Sequence, residues 1–157
     1  MKITLLTVGK TDIRWINEGL EVYSSRLRHY ISFEIKEIAE LKNAGSLSKE
    51  QIKTLEGKLI LKNVKSSDEI ILLDERGKEM RSVEFATFIE RRVVAGIKEM
   101  VFVIGGAYGF SLEVYERANG KISLSKMTFS HQMVRTIFAE QLYRACTIIK
   151  GESYHHE

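Results

Sequence analysis

Between His131 and Lys150 the chain carries one segment that is apolar on almost every side. Met133, Val134, Ile137, Phe138, Leu142, Tyr143, Ala145, Cys146, Ile148 and Ile149 follow helical spacing but spread well beyond a single stripe. A helix of this kind has to be covered twice, once by its own domain and once by another surface. The residues leading into it, Ser123 to Arg135, begin as a short strand and pass through a run of hydroxyls. Ser125, Thr128 and Ser130 fall where the first turn of a helix leaves backbone amides unpaired, so the loop can offer hydroxyls and amides to a polar ligand. The stretch reads as a ligand loop joined to an interface helix.

The rest of the chain alternates strand and helix. Lys2 to Val8 suits a buried strand, and Asp12 is placed to cap a helix through about Tyr30. Phe33 to Ile38 alternates as a second strand, and Ser48 with Gln51 fits a capping box that opens a helix to about Leu61. Nothing in this half specifies chemistry; it reads as scaffold. Glu69 to Leu73 is a short apolar strand ending in Asp74-Glu75-Arg76-Gly77-Lys78. Those five residues form either a ligand-facing edge or a plain charged turn with Gly77 at positive φ. A helix is expected from Ser82 to about Lys98, followed by Met100 to Ile104, apolar throughout like a parallel strand covered on both faces. Gly105-Gly106-Ala107-Tyr108-Gly109 comes next; it lacks the spacing of a dinucleotide or phosphate loop and on its own fits a structural turn. Ser111 is placed to cap a short helix, and Lys121 to Leu124 makes the last strand. The alternation predicts one α/β domain over 1–157, with a mainly parallel sheet and helices on both faces.

Composition narrows the function classes. A net charge of +3 permits a polyanionic partner without demanding one. The single cysteine, Cys146, excludes an internal disulfide and fits a small core residue better than a catalytic thiol. No apolar run reaches membrane length and no leader is visible, so a cytoplasmic protein with no membrane contact is expected. No group of Cys, His and carboxylates has metal-ligand spacing, so no metal is expected.

Leu73-Asp74, Gly105-Gly106 and Ser125 to Ser130 each end a strand in an unusual loop. With Glu140-Gln141-Leu142-Tyr143-Arg144-Ala145 and the terminal Tyr154-His155, their order and spacing closely resemble the RlmH family of SPOUT-class rRNA methyltransferases. The resemblance spans essentially the whole chain. It implies methylation of N3 of a pseudouridine in a 23S rRNA hairpin loop, on the large subunit or the whole ribosome. It also implies a C-terminal trefoil knot, a homodimer built on the long helix, and S-adenosyl-L-methionine held by the knotted loops. On that pattern Leu73, Gly105, Gly106, Ser125, Lys126, Met127, Thr128, Phe129 and Ser130 would form the cofactor pocket. Two departures stand out: Ala107 and Ser130 occupy places where many members carry proline, and the tail ends Tyr154-His155-His156-Glu157 instead of Tyr-His-Arg. Without that arginine, Arg144 or Arg135 is left to supply cationic charge.

Methyl transfer from a sulfonium is an in-line displacement, so such an enzyme mainly positions its reactants. The acceptor nitrogen must lose a proton. His155 is the candidate proton acceptor, Tyr154 a stacking or hydrogen-bonding group, and Arg144 electrostatic support. Taken without the resemblance, the same tail fits a frayed terminus. Lys10, Arg14, Arg26 and Arg28 are candidates for a basic RNA-facing surface on the dimer. The competing function is a non-catalytic dimeric RNA-binding or nucleotide-binding α/β domain that keeps the loops.

Overall fold

The structure, a computed structural model, describes residues 1–156; Glu157, the last residue of the tail, lies outside the described residues. Five strands form one sheet in the order β2-β1-β4-β3-β5: β1 (Lys2–Val8), β2 (Ser32–Ile38), β3 (Glu69–Glu79), β4 (Glu99–Ile104) and β5 (Gly120–Ser123). Every pairing is parallel. The helices are α1 (Arg14–Leu27), α2 (Lys49–Lys62), α3 (Ser82–Val94), α4 (Leu112–Arg117) and α5 (Met133–Lys150). None of them is long and apolar enough to cross a membrane.

Strand alternation divides the core into two layers. Ile3, Leu5, Met100, Phe102 and Ile71 face α1, α3 and α5 and pack on Leu27, Phe85, Ile89, Phe138 and Leu142. Leu6, Val8, Val101, Val103 and Leu72 face the other way, onto Ile60 of α2 and Val114 of α4. β4 is buried from Met100 to Ile104 because both layers cover it. Phe102 and Phe138 meet at 4.7 Å between ring centres, which fixes α5 against the middle of the sheet.

Local signals held where the contacts are local. Ser48 and Gln51 form the expected capping box, and the Ser111 hydroxyl accepts from the Val114 amide to start α4. Four expectations are corrected. Asp12 does not cap α1; Ile13 holds the cap position, and Asp12 instead accepts from the Gln132 side chain. α3 stops at Val94, where the chain turns through Gly96 at a φ of 75°. β3 does not end at Leu73; it resumes against β5 after a register shift between Leu73 and Lys78, so Asp74 to Gly77 bulge out of a longer strand. Gly77 is also not at positive φ. It is small because a Cβ there would lie 2.6 Å from the backbone nitrogen of Ile122, on the neighbouring strand.

The C-terminal crossing is the least local feature. β5 lies at one edge of the sheet, yet Arg135 in the first turn of α5 reaches β1, beyond both β3 and β4. Its guanidinium is fully buried and donates to Val8 O (2.9 Å), Gly9 O (3.0 Å) and Thr11 Oγ1 (2.8 Å). The chain therefore passes across the C-terminal ends of two strands before α5 begins.

Candidate active site

A cleft of about 550 Å³ opens at the C-terminal edge of the sheet, where β3, β4 and β5 end. In parallel α/β sheets that edge is where ligands are bound, and this volume suits a small organic molecule. Three loops build it: the bulge at Asp74 to Arg76, the glycine loop from Gly105 to Phe110, and the hydroxyl loop from Ser123 to Ser130. Leu73, Ile104, Phe110, Leu124 and Val134 give it apolar walls, while main chain and short polar side chains occupy the rim.

Each loop is held by its own small network. Asp74 accepts from the Tyr115 hydroxyl and, at 2.8 Å, from the Arg76 amide, which shapes the bulge. Burial and the Asp74 hydrogen bond push the Tyr115 phenol up to about 12, so it remains a donor. The glycine loop closes on a Gly109 to Gly106 backbone bond (3.2 Å), with Gly109 at a φ of 81°. In the hydroxyl loop Ser125 Oγ accepts from Met127 N (2.9 Å), and Ser130 Oγ accepts from Met133 N (3.1 Å). Ser130 thus satisfies one of the amides left open at the start of α5. Thr128 donates to Glu75 at 3.4 Å, joining the hydroxyl loop to the bulge.

Leu73, Gly105, Gly106, Ser125, Met127, Thr128, Phe129 and Ser130 all border the cleft. Lys126 does not; it points outward and pairs with Glu79 at 3.6 Å. Several lining residues had no clear local signal, among them Lys53, Phe110 and Tyr115. Lys53 comes from the half of the chain that reads as scaffold. The pattern of α2 shows only that it is a helix, and its placement over the glycine loop is a tertiary fact.

Arg144, Tyr154 and His155 form a separate cluster. Arg144 pairs with Glu140 at 2.5 Å and lies over the Tyr154 ring, 4.7 Å from its centre. Tyr154 donates to Glu140 at 3.2 Å. Burial, a hydrogen bond with Tyr23 and the Glu140 charge raise its phenol to about 12. Arg144 Nη1 stands 3.4 Å from His155 Nδ1. A guanidinium only donates, so Nδ1 accepts and the ring proton belongs on Nε2, which is buried without a partner. Arg144 is ten residues beyond Val134 on α5, about 15 Å along the axis. None of the three borders the cleft of its own chain. Arg135, the other candidate cation, is a buried structural bolt. Of the basic-surface candidates, Arg14 is paired with Glu18 at 2.8 Å and Arg26 lies over the Tyr143 ring, while Lys10 and Arg28 are exposed.

With three strand-end loops around one cleft and a chain that crosses the sheet before its last helix, the geometry can be set beside known proteins. The profile described as "Predicted SPOUT methyltransferase" matches residues 1–155. The chain belongs to the SPOUT methyltransferase family. The fold of this SPOUT chain is the α/β knot, and the crossing from the β5 edge to β1 is the kind of passage that such a knot requires. Among relatives, a protein of Christiangramia forsetii named "Ribosomal RNA large subunit methyltransferase H" is 54% identical over 99% of both chains. A protein of the same name from Parabacteroides distasonis is 53% identical over the full length of both. A solved structure titled as a probable methylase family protein from Haemophilus influenzae has a TM-score of 0.51. That likeness covers 99% of this chain and 70% of the other, and at 15% identity it speaks to the fold alone.

Proposed function

We propose that this SPOUT chain is an S-adenosylmethionine-dependent methyltransferase of large-subunit ribosomal RNA, acting on N3 of a pseudouridine in a 23S hairpin loop. The observation that carries the reading is the convergence of three strand-end loops on one cleft, in a chain more than half identical to proteins named "Ribosomal RNA large subunit methyltransferase H". The residues suit the donor. Apolar walls from Leu73, Ile104 and Phe110 fit a purine, surrounded by main-chain amides and carbonyls of the glycine and hydroxyl loops. The glycine turn fits the narrow amino-acid arm. When bound, the donor supplies an electrophilic methyl group on a sulfonium. The chain's own task is to hold that group in line with the acceptor and to exclude water.

The proton of the acceptor nitrogen falls to the Glu140–Arg144–Tyr154–His155 cluster. His155 takes it once the substrate displaces Arg144 from Nδ1, and Arg144 then supports the developing negative charge. The distance of this cluster from the cleft of its own chain favours a homodimer in which the tail of a second copy closes each site. The exposed apolar residues Trp15 (59% exposed) and Val22 (47%) on α1, with Met133 on α5, suit that contact. The basic residues Lys10 and Arg28 suit phosphate positioning on both copies.

Incubating the protein with S-adenosylmethionine and ribosomal large subunits lacking the modification, then weighing fragments of the 23S rRNA, tests the reading. One added methyl on a pseudouridine-containing fragment is expected. Donor binding with no methylated RNA would leave the non-catalytic reading in its place.

A further inference from the structure

Helix α2 meets the glycine loop with two consecutive residues. A Cβ at Gly106 would fall 2.6 Å from Glu56 Oε1 and closer still to Oε2, so the Glu56 carboxyl fills the side-chain place at position 106. Gly57 does the converse at the far end of the loop. A Cβ there would stand 3.1 Å from the Ser111 Cβ and collide with its hydroxyl. The loop that lines the cleft is therefore seated on α2 at both ends.

The seat contains an anomaly. Glu56 is only 9% exposed, and its Oε2 is buried with no hydrogen-bond partner. An ionised carboxylate left unpaired in such a place is costly. Desolvation, followed by the charge of Glu40, raises the Glu56 pKa above the ordinary carboxylate value. The charged groups around it do not offset this. Glu40, from the segment after β2, is itself acidic. Lys53, one turn earlier on α2, is drawn to Glu50 at 2.6 Å. The glycine loop brings Gly106 with no charge, and α4 brings the Ser111 hydroxyl. A buried acid with one open oxygen thus lies behind a glycine that borders the cleft, where a positive charge on a ligand is strongly felt.

We propose that Glu56 is the positioning residue of the glycine loop and couples ligand to proton: its carboxyl is neutral while the cleft is empty and ionises when a cationic ligand fills it. The O–H bond breaks heterolytically, the proton leaves to solvent, and the carboxylate remains as counter-charge behind Gly106. This rests on the reading of the cleft as the site of a sulfonium donor. It adds a reason for the product to leave. S-adenosylhomocysteine keeps the nucleoside and the amino acid but not the sulfonium charge, so the proton returns to Glu56 after methyl transfer.

Calorimetric titration of the full chain with S-adenosylmethionine, in two buffers of different ionisation enthalpy near pH 6, reads the protons released. That pH lies below the ordinary α-amino range of about 7.7–8.0, so the ligand's own ammonium is silent. Release is expected with S-adenosylmethionine and less with S-adenosylhomocysteine. Affinity for the former should rise by up to tenfold per pH unit below the Glu56 midpoint, as expected for one linked proton. Glu56→Gln should lose both the release and the pH slope, and its preference for the sulfonium ligand should fall about tenfold. Glu40→Gln should move the midpoint to lower pH. His131 also borders the cleft, so proton release that is unchanged in Glu56→Gln would place the linked proton on a group other than Glu56 and overturn the inference. Binding by the wild-type chain without proton release would overturn the inference alone. No binding at all would remove the donor reading, and the inference with it.

Discussion

Arg135 Nη2 donates to Val8 O at 2.9 Å, tying the first turn of α5 to the end of β1 across 127 positions of sequence. The guanidinium is fully buried, and Gly9 O and Thr11 Oγ1 share it. Burial lowers its pKa, while Glu37, Asp12 and Glu40 favour its charge. A cation bonded and buried this way holds the crossing in place.

Arg135→Met should therefore act on stability first. It removes the guanidinium donors to Val8 O and Gly9 O in a dry site, at about 1–3 kcal/mol each, and Gly9 O keeps only the longer bond from Thr7 Oγ1 at 3.4 Å. A loss of about 3 kcal/mol in chemical denaturation is expected. Retained stability with lost turnover would return Arg135 to the list of catalytic candidates.

The bulge after Leu73 should be intolerant of side chains at one place. In Gly77→Ala the new Cβ meets the backbone of β5, which cannot rotate away. Overpacking of this kind costs about 1–3 kcal/mol. Because the bulge borders the cleft, donor affinity should fall along with the melting temperature. Gly45→Ala, with open space around it, is the matched control and should change neither.

Much of the fold was legible along the chain, and the reasons differ by residue. The capping box at Ser48 and Gln51, the Ser111 cap and the apolar run of β4 are written within a few residues of where they act. Asp12 looks like a cap, but its acceptor was claimed by Gln132, 120 positions away. Gly77 looked like a turn glycine because periodicity cannot see the strand that passes over it. In the site, the hydroxyl and glycine loops were legible as loops. Neither the outward turn of Lys126 nor the seat that Glu56 and Gly57 make for the glycine loop had a local signature. Those contacts join elements that meet only in the folded chain.

Three of the six tyrosines, Tyr30, Tyr115 and Tyr154, have phenols raised to about 12. For Tyr30 the main cause is its hydrogen bond to Glu152; for the other two it is burial. A raised folded pKa adds stability that is complete below the unfolded value of about 10 and is lost as pH climbs towards 12. Spectrophotometric titration should show a delayed class of phenols, with alkaline unfolding in that window. Turnover should show no limb from Tyr154 below about pH 10. A tyrosine limb near neutrality would contradict the assigned environment.

The tail should act on chemistry and not on donor binding. Arg144→Ala removes the contact to Glu140 and His155, and His155→Ala removes the proposed proton acceptor; each should cut turnover about a hundredfold or more, within the range for acid–base groups. Donor affinity should change less than twofold. Mixing His155→Ala chains with Gly106→Val chains should restore turnover that neither shows alone, since a mixed dimer holds one intact cleft and one intact tail. Failure of the mixture, with mixed dimers demonstrated, would place the tail and cleft of each site in the same chain.

The central claim is that three distant loops make one donor site, and calorimetric titration of the purified chain with S-adenosylmethionine tests it most directly. Saturable heat is expected at one ligand per chain, weakened at least tenfold by Gly106→Val and unchanged by Lys126→Ala, whose side chain points away. No heat with either S-adenosylmethionine or S-adenosylhomocysteine would contradict it.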